Sequence, residues 1–123
     1  MLVTEEITYL RQYSNSIHTS PSNSITIKPG ELVLGITEEK IKLSKNLCGW
    51  IQGRSRFARM GLMVHVSASL IQPDVDNVQV LEMVNLSPVS LRVKPGIRIC
   101  QVVFERLSSP AGYDGPFKRQ TRP

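Results

Sequence analysis

Short apolar runs, each ended by turn-forming residues, follow one another along most of this chain. From Ile25 onward they recur about every 8 to 12 residues, a spacing that is typical of a β-sandwich, jelly roll or distorted barrel. Two of the turns share the sequence Lys-Pro-Gly, at residues 28–30 and 94–96. Proline fixes φ and glycine accepts a positive φ, so each Pro-Gly pair suits the centre of a type II turn. The chain is therefore predicted to be all-β.

The predicted elements divide the chain into three parts. Apolar residues at helical spacing after Thr4 predict a short N-terminal helix over residues 1–11, and a Ser-, Asn- and Pro-rich loop follows to complete an N-terminal segment, 1–23. Residues 111–123 are predicted to form a flexible tail, which is either a lid or a frayed basic terminus. The barrel domain is predicted over residues 24–110, with strands at 25–27, 31–36, 41–43, 48–52, 62–67, 78–85, 89–93 and 97–107.

Composition restricts the class of protein further. With 123 residues and 41% hydrophobic content, the chain suits a single domain with a sizeable core. Its apolar runs are too short to span a bilayer, and its N-terminus lacks the basic-then-apolar pattern of a secretory signal. Cys48 and Cys100 each lie in an apolar run, which favours buried reduced thiols over a disulfide. These features predict a cytoplasmic protein with no membrane partner.

The net charge of +5 raises the question of nucleic acid as a partner. Aromatic residues make up only 6% of the chain, and none is interleaved with a basic strand as a base-stacking surface requires. The positive charge is concentrated in residues 54–59 and in the tail at Lys118, Arg119 and Arg122. Two separate basic clusters fit a small polyanion held from two sides at least as well as a duplex, so nucleic acid is disfavoured.

The segment 53–61 carries three arginines, Arg54, Arg56 and Arg59, between two glycines. If Ser55 caps a single helical turn near residues 55–60, the three guanidiniums and the free backbone N–H groups converge on one spot. Such a spot suits a phosphate chain. The alternative is a solvated basic turn between two strands.

Zinc chemistry is not predicted. Zinc-dependent base deaminases need a His-x-Glu motif with a later Pro-Cys-x-x-Cys, and neither His18 nor His65 is followed by such a glutamate. The sequence also lacks a Walker phosphate loop and a G-x-G-x-x-G motif. His65 lies in an apolar run, where a packed, hydrogen-bonded core histidine is favoured over a catalytic one.

Glu82 interrupts the apolar run of residues 78–84. Strand alternation puts it on one face with Val78, Val80 and Val84, where a carboxylate is expensive to bury unless it is paired. A purely solvent-facing Glu82 is hard to reconcile with these neighbours. The favoured interpretation is a functional carboxylate beside a cation.

Several short motifs follow one another in a fixed order, namely Gly53-Arg54-Ser55, Ala58-Arg59, Gly61-Leu62, Val64-His65-Val66-Ser67-Ala68, Ile71-x-Pro73, Leu81-Glu82-x-x-Asn85 and Pro95-Gly96-x-x-Ile99-Cys100-Gln101. In this order and at these gaps, they resemble the dCTP deaminase branch of the trimeric dUTPase superfamily, over residues 29–110.

The resemblance implies a distorted jelly-roll β-barrel of the dUTPase-like type, assembled as a homotrimer with active sites at the subunit interfaces. Residues 97–104 are apolar at nearly every position, which independently predicts burial of one face of that strand against partner subunits. The resemblance also implies a deoxynucleoside triphosphate, dCTP or dUTP, that carries Mg²⁺ on its phosphates. The implied reaction is metal-free hydrolytic deamination of dCTP to dUTP and ammonia, with a bifunctional form that continues to dUMP left open.

The resemblance further implies residue roles. Glu82 would shuttle protons to and from the water that attacks C4, and Arg59 and Ser55 would position its carboxylate. The backbone around Ser67 and Ala68 would face the pyrimidine, and a C-terminal segment would close over the triphosphate. Substrate binding is implied for Arg54, Ser55, Arg56, Ser67, Ala68, Gln72, Val80, Gln101, Tyr113, Lys118 and Gln120.

The chain departs from the family pattern at five positions. Gln72 replaces an aspartate that activates water in the dUTPases, and a carboxamide cannot serve as a base. Val75 replaces an aromatic residue that stacks on the deoxyribose, Arg56 replaces a serine, and Asp74 and Asn77 stand in for glycines. The departures favour a deaminase over a dUTP diphosphatase, and they leave a non-catalytic nucleotide-binding relative as a further alternative.

Overall fold

Strands make up almost all of the regular structure in this protein. The computed structural model describes residues 3–10, 17–21 and 24–121. These form ten strands and one short helix, in the order β1 (Val3–Leu10), β2 (Ile17–Pro21), β3 (Ile25–Ile27), β4 (Leu32–Lys42), β5 (Leu47–Gly53), α1 (Ser55–Ala58), β6 (Leu62–Met63), β7 (Leu70–Ile71), β8 (Asp76–Asn85), β9 (Leu91–Val93) and β10 (Cys100–Arg106). The predicted all-β class is confirmed. Among the described residues, no helix has the length and apolar character that a membrane crossing requires.

The strands form three antiparallel sheets. The largest has the order β2-β1-β4-β8-β6, the second has the order β10-β5-β7, and β3 pairs with β9. The β3–β9 pair joins the two strands that precede the Lys-Pro-Gly turns. Gly30 and Gly96 have φ of 74° and 77°, as the predicted turns require. Because β3 and β9 are antiparallel, the repeated motif turns the chain at opposite ends of one two-stranded ribbon.

Strand β8 is central to the core. Leu81 and Met83 are fully buried, whereas Glu82 between them is partly exposed, and this alternation continues along the whole strand. Neighbouring residues of a strand point to opposite faces, so one face of β8 packs in the core and the other stays accessible. The core cluster contains apolar side chains from all three sheets, including Ile27, Val33, Ile51, Ile71 and Leu91, together with Ile99 from the segment before β10.

Both cysteines lie in this fold as the sequence predicts. Cys48 and Cys100 are buried, and neither forms a disulfide within the described residues. Burial raises the pKa of the Cys100 thiol, because desolvation disfavours the thiolate. The two side chains therefore act as small apolar groups of the interior.

The N-terminal region forms strands, so the predicted N-terminal helix is wrong. Strand β1 pairs with both β2 and β4, and β2 lies within the segment predicted to be a loop. The β-branched and aromatic residues of β1 favour a strand once a partner strand is available. Pairing with that partner overrides the weak helical spacing of the apolar residues. The largest sheet therefore continues across the boundary predicted at residue 24. The remaining residues of these two predictions, 1–2, 11, 13–16 and 22–23, lie outside the described residues.

Five of the strand predictions also need correction. The strands predicted at 31–36 and 41–43 are one strand, β4, whose register shifts between Ile36 and Lys40. The strand predicted over 62–67 pairs only at β6, because the chain then leaves the sheet. Strands β9 and β10 are each shorter than predicted.

The short helical turn predicted near residues 55–60 is confirmed as α1. Its N-cap residue is Arg54 and no side chain caps it, so the predicted capping role of Ser55 is wrong. Ser55 is already the first helical residue, one position beyond the cap. The turn ends at Gly61, which has φ of 86°, and a Cβ there would lie 2.8 Å from the backbone nitrogen of Ser87. Both the conformation and the close approach require glycine.

Candidate functional site

A pocket of about 330 Å³ lies beside β8 and brings together six of the residues predicted to serve catalysis or substrate binding. Its volume is at the lower end of the range for small-molecule sites, about 300 to 1,000 Å³. We call it the Glu82 pocket. Its lining comes from β7, β8, their connections and the tail, namely Ala68, Leu70, Ile71, Gln72, Val75, Asn77, Gln79, Val80, Glu82, Tyr113, Phe117 and Gln120.

The pocket exists because one edge of β8 is only partly covered. Strand β6 pairs with β8 near its C-terminal end alone. At the other end, the N–H groups of Asp76 and Val78 donate to the tail carbonyls of Lys118 and Gln120, at 3.0 and 3.2 Å. Backbone groups alternate in direction along a strand, so the N–H and C=O of Val80 point to the same edge. Between its two partners, the β8 backbone therefore offers a donor and an acceptor to the pocket.

Glu82 supplies the carboxylate of this pocket. Its Oε2 atom accepts hydrogen bonds from the backbone N–H groups of Val66, at 2.9 Å, and Ser67, at 3.3 Å. Two donors on one oxygen hold the carboxylate in place, and Oε1 has no hydrogen-bond partner within the described residues. The same two bonds hold residues 64–68 against β8, in place of the strand predicted there. Glu82 thus faces the pocket, neither buried in the core nor simply solvated.

Two amides that the sequence analysis did not identify as site residues line the inner wall. Asn77 and Gln79 are buried on the core face of β8. Gln79 Nε2 donates to Asn77 Oδ1, Asn77 Nδ2 donates to the carbonyl of Phe117, both at 2.6 Å, and the Gln79 N–H donates to Thr37 Oγ1 at 3.0 Å. Polar side chains that share a strand face with Leu81 were the available signal, because such groups stay in a core only when they are hydrogen-bonded.

The tail covers one side of the pocket through Tyr113, Phe117 and Gln120. Lys118 points elsewhere and forms an ion pair with Asp74 at 2.7 Å. This hydrogen bond lowers the pKa of the Asp74 carboxyl and raises the pKa of the Lys118 amine. The structure therefore gives Lys118 an intramolecular partner, although the resemblance implies substrate binding for it.

Asp74, which stands in for a glycine of the family pattern, has the positive φ that a glycine adopts readily. Its φ is 63°, in the left-handed region that a non-glycine residue enters at a cost of about 1 to 3 kcal/mol. Asn77, the other glycine replacement, lies within β8 and has no positive φ. The strain of this hairpin is thus concentrated at the residue that Lys118 contacts.

The arginines predicted to bind phosphates lie in a second cavity of about 570 Å³. We call it the basic groove. It shares no lining residue with the Glu82 pocket, and Arg54 Nη1 donates to the Arg98 carbonyl oxygen at 2.8 Å on one of its walls. Its lining residues are Arg54, Arg56, Phe57, Met60, Arg92, Lys94, Ile97 and Arg98.

The other predicted site residues lie outside both cavities. Ser55, Arg59 and Gln101 are exposed. Because Arg59 does not line the groove with Arg54 and Arg56, the three guanidiniums do not all converge as predicted. In the described part of the chain, no ion pair joins Arg59 to Glu82. His65 is partly buried, and its Nδ1 atom has no hydrogen-bond partner among the described residues, so the hydrogen-bonded core histidine predicted from the sequence is not found.

A family model described as dCTP deaminase-like matches residues 3–107. The chain belongs to the dCTP deaminase-like family. It is 40% identical over 94 residues to the dCTP deaminase of Rhodospirillum rubrum, covering 76% of this chain and 48% of the relative. It is 45% identical over 103 residues to the dCTP deaminase of Buchnera aphidicola subsp. Baizongia pistaciae, covering 83% of this chain and 53% of the relative. The chain thus spans about half the length of these dCTP deaminases.

Solved structures confirm the predicted fold of this dCTP deaminase-like chain. The native EIAV dUTPase aligns with a TM-score of 0.63 at 19% identity, covering 94% of this chain and 96% of its own. The 2′-deoxycytidine 5′-triphosphate deaminase from Agrobacterium tumefaciens aligns with a TM-score of 0.68 at 13% identity, covering 84% of this chain and 36% of its own. At these identities the likeness concerns the fold, which is the dUTPase-like fold predicted from the sequence motifs.

Proposed function

We propose that this protein is a dCTP deaminase, which converts dCTP and water into dUTP and ammonia. The observation that carries the proposal is Glu82: the carboxylate lining the pocket is fixed through Oε2 by two backbone donors, while Oε1 stays available. A general base needs both fixed geometry and a free oxygen. The family to which the chain belongs supports the same reaction.

The reaction requires two consecutive proton transfers that one carboxylate can perform. Glu82 Oε1 takes a proton from a water molecule as the water oxygen forms a bond to C4 of the cytosine. The carboxyl group then gives that proton to the amino nitrogen on C4. As the C–N bond breaks, ammonia leaves, and the remaining hydroxyl proton moves to N3, which gives the C4 carbonyl and the N3–H of uracil. In hydrolytic enzymes, one carboxyl group commonly acts first as a general base and then as a general acid.

The pocket walls suit a pyrimidine. Ile71 and Val75 supply apolar contacts to the ring and sugar, while the Gln72 side chain and the Val80 backbone offer hydrogen-bonding groups. A pyrimidine edge alternates donors and acceptors, which amide groups can match. Gln72 cannot activate water as an aspartate could, so this lining favours deamination over dUTP diphosphatase activity.

We further propose that the protein acts as a homotrimer in which the phosphate chain enters the basic groove of a neighbouring subunit. Two observations support this: the pocket and the groove share no lining residue, and Val103 and Phe104 of β10 are 53% and 55% exposed in one chain. Apolar side chains that are exposed on a single chain mark an interaction surface. Arg59 and Ser55 would then reach Glu82 from the neighbouring subunit.

Magnesium is proposed to arrive on the phosphates of the nucleotide. Mg²⁺ prefers oxygen ligands and commonly uses substrate phosphates with few protein groups. The lining of the basic groove includes no carboxylate, and the described residues include no cluster of three or more His, Cys, Asp or Glu side chains placed to hold a metal. The groove side chains would therefore contact phosphate oxygens rather than the ion.

The test is an assay of the purified protein with dCTP and Mg²⁺, following ammonia and the nucleotide products together. Deamination predicts dUTP and ammonia in equal amounts. Release of pyrophosphate from dUTP at a comparable rate would instead identify a diphosphatase or a bifunctional enzyme. Tight binding of dCTP without any product would identify a non-catalytic relative and refute the proposal.

A further inference from the structure

The basic groove contains three cations to which the family motifs give no role. Arg54 and Arg56 belong to the motif region, but Arg92, Lys94 and Arg98 come from β9 and the segment that follows it. Five of the eight lining residues are cationic and none is acidic. We propose that Arg92, Lys94 and Arg98 complete a binding site for the oligophosphate chain of the nucleotide.

Local structure turns these three side chains toward the groove. Leu91 and Val93 are buried, so the alternation of β9 leaves Arg92 exposed between them. Beyond the Pro-Gly turn, Ile99 is fully buried and Arg98 is exposed. The apolar neighbours thus fix the backbone in the core while the cations face outward as a group.

Within residues 24–121, the groove cations form no ion pair with an acidic side chain. Across residues 24–121, the ion pairs join Lys40 to Asp76 and Lys118 to Asp74 and Asp114, and none includes a groove residue. Grouped like charges repel one another, and the resulting positive potential attracts anions. A bound polyanion would offset the repulsion among these cations and so stabilise the cluster.

The geometry indicates a chain of phosphates rather than a single one. The groove volume of about 570 Å³ exceeds what one phosphate group needs, and its cations come from two separated segments. Arg54 is held by the Arg98 carbonyl, so the two segments are tied together across the groove. Guanidinium groups bind phosphate oxygens in pairs, which suits several consecutive phosphates along four arginines.

The identity of the nucleotide in this inference rests on the proposed function, but phosphate binding can be measured without turnover. Calorimetry of the full chain with inorganic tripolyphosphate is the direct experiment. The double variant Arg92→Ala/Lys94→Ala is expected to bind at least about tenfold more weakly, because charge-assisted hydrogen bonds are lost. With dCTP as substrate, KM should rise by a similar factor while kcat is retained.

Lys28→Ala is the matched control. Lys28 precedes the other Pro-Gly turn as Lys94 precedes its own, is also exposed, and lies outside the groove lining. We expect this variant to bind tripolyphosphate like the unchanged protein. Circular dichroism and melting of both variants will establish that the barrel is folded.

The inference is overturned if the double variant binds tripolyphosphate normally, or if Lys28→Ala weakens binding equally. It is also overturned if the groove binds single-stranded DNA with steep salt dependence and does not bind tripolyphosphate. If the double variant releases ammonia from dCTP with an unchanged KM, the phosphate-binding role of the groove is refuted and the deaminase proposal is not. If tripolyphosphate binding depends on the groove cations but no ammonia is released from dCTP, the deaminase proposal is refuted and the phosphate-binding role is not.

Discussion

The Glu82 pocket and the basic groove are built in opposite ways. In the pocket, a carboxylate and buried amides are fixed by hydrogen bonds to the backbone and to one another. In the groove, five cations face outward, and Arg54 donates a hydrogen bond to the Arg98 carbonyl oxygen. The pocket is suited to position reacting atoms, which requires rigid groups, whereas the groove is suited to attract a charged chain. Under the proposed function, base chemistry and phosphate binding are therefore separate tasks of this chain.

The largest expected effect comes from breaking the pocket. Glu82→Gln keeps the size of the side chain and its ability to accept the Val66 and Ser67 hydrogen bonds, but it removes the base. We expect the rate of ammonia release from dCTP to fall by at least ~10²-fold. Steady-state assays with Mg²⁺ measure this directly.

Glu38→Gln is the control for this variant, because Glu38 is an exposed glutamate outside the pocket lining. Its turnover should equal that of the unchanged protein. If Glu82→Gln retains most of its activity while it remains folded, Glu82 is not the proton-transferring group.

The second prediction tests whether the pocket and the groove of different subunits act together. Glu82→Gln and the double variant Arg54→Ala/Arg56→Ala should each be nearly inactive. In trimers refolded from an equal mixture, about one quarter of the interfacial sites would pair an intact pocket with an intact groove. Activity should therefore return to about a quarter of the normal value.

Light scattering provides the independent measurement for this mixing experiment. A mass of 13.8 kDa, that of a single chain, at micromolar concentration would contradict the trimer. Mixtures that stay inactive although they form trimers would show that each site lies within one chain.

The third prediction concerns the tail, which contacts the pocket and not the groove. Removal of the residues after Gly112 deletes Tyr113, Phe117 and Gln120 from the pocket lining. Turnover should fall by about tenfold or more, since closing segments exclude water and position substrate. The melting temperature should fall by only about a few degrees, because nearly all of the core remains.

Arg119→Ala is a suitable control for the truncation, since Arg119 is an exposed tail residue that lines neither cavity. Its kinetics should be unchanged. A truncated protein that turns over dCTP as fast as the full chain would show that the tail has no role as a lid.

The smallest expected effect is a pH dependence of tail docking. The pKa of Asp74 is lowered and that of Lys118 is raised by their contact. A lowered acid pKa stabilises docking above the ordinary value of about 3.9, and a raised amine pKa stabilises it below about 10.4. Docking should thus be constant near neutral pH and weaken as the pH falls below the first value or rises above the second.

Hydrogen exchange of the Asp76 and Val78 amides measures this docking, because both donate to tail carbonyls. Asp74→Asn is the matched variant: asparagine tolerates a positive φ and removes the charge. It should lower protection at neutral pH and abolish the acid-dependent change. Equal protection in both proteins would show that the ion pair does not hold the tail.

Several features of this protein are determined by short stretches of sequence. The Lys-Pro-Gly turns, the helical turn that ends at Gly61 and the alternation around Glu82 each depend on residues that are neighbours in the chain. Proline, glycine and strand periodicity act over a few residues, so they are readable before folding. The motif order was enough to indicate the family, because matching gaps between several motifs rarely arise by chance.

Other features were decided only by partners far away in the chain. Residues 3–10 form β1 because they pair with β4. The residues near β1 in the sequence do not indicate that β4 is its partner. Lys118 contacts Asp74, and Arg54 lies in a different cavity from Glu82, because sheet pairing sets where these segments end. Differences in local propensity between helix and strand are smaller in free energy than the contributions of long-range strand pairing and burial. Tertiary contacts therefore determined the N-terminal strands and the separation of the Glu82 pocket from the basic groove.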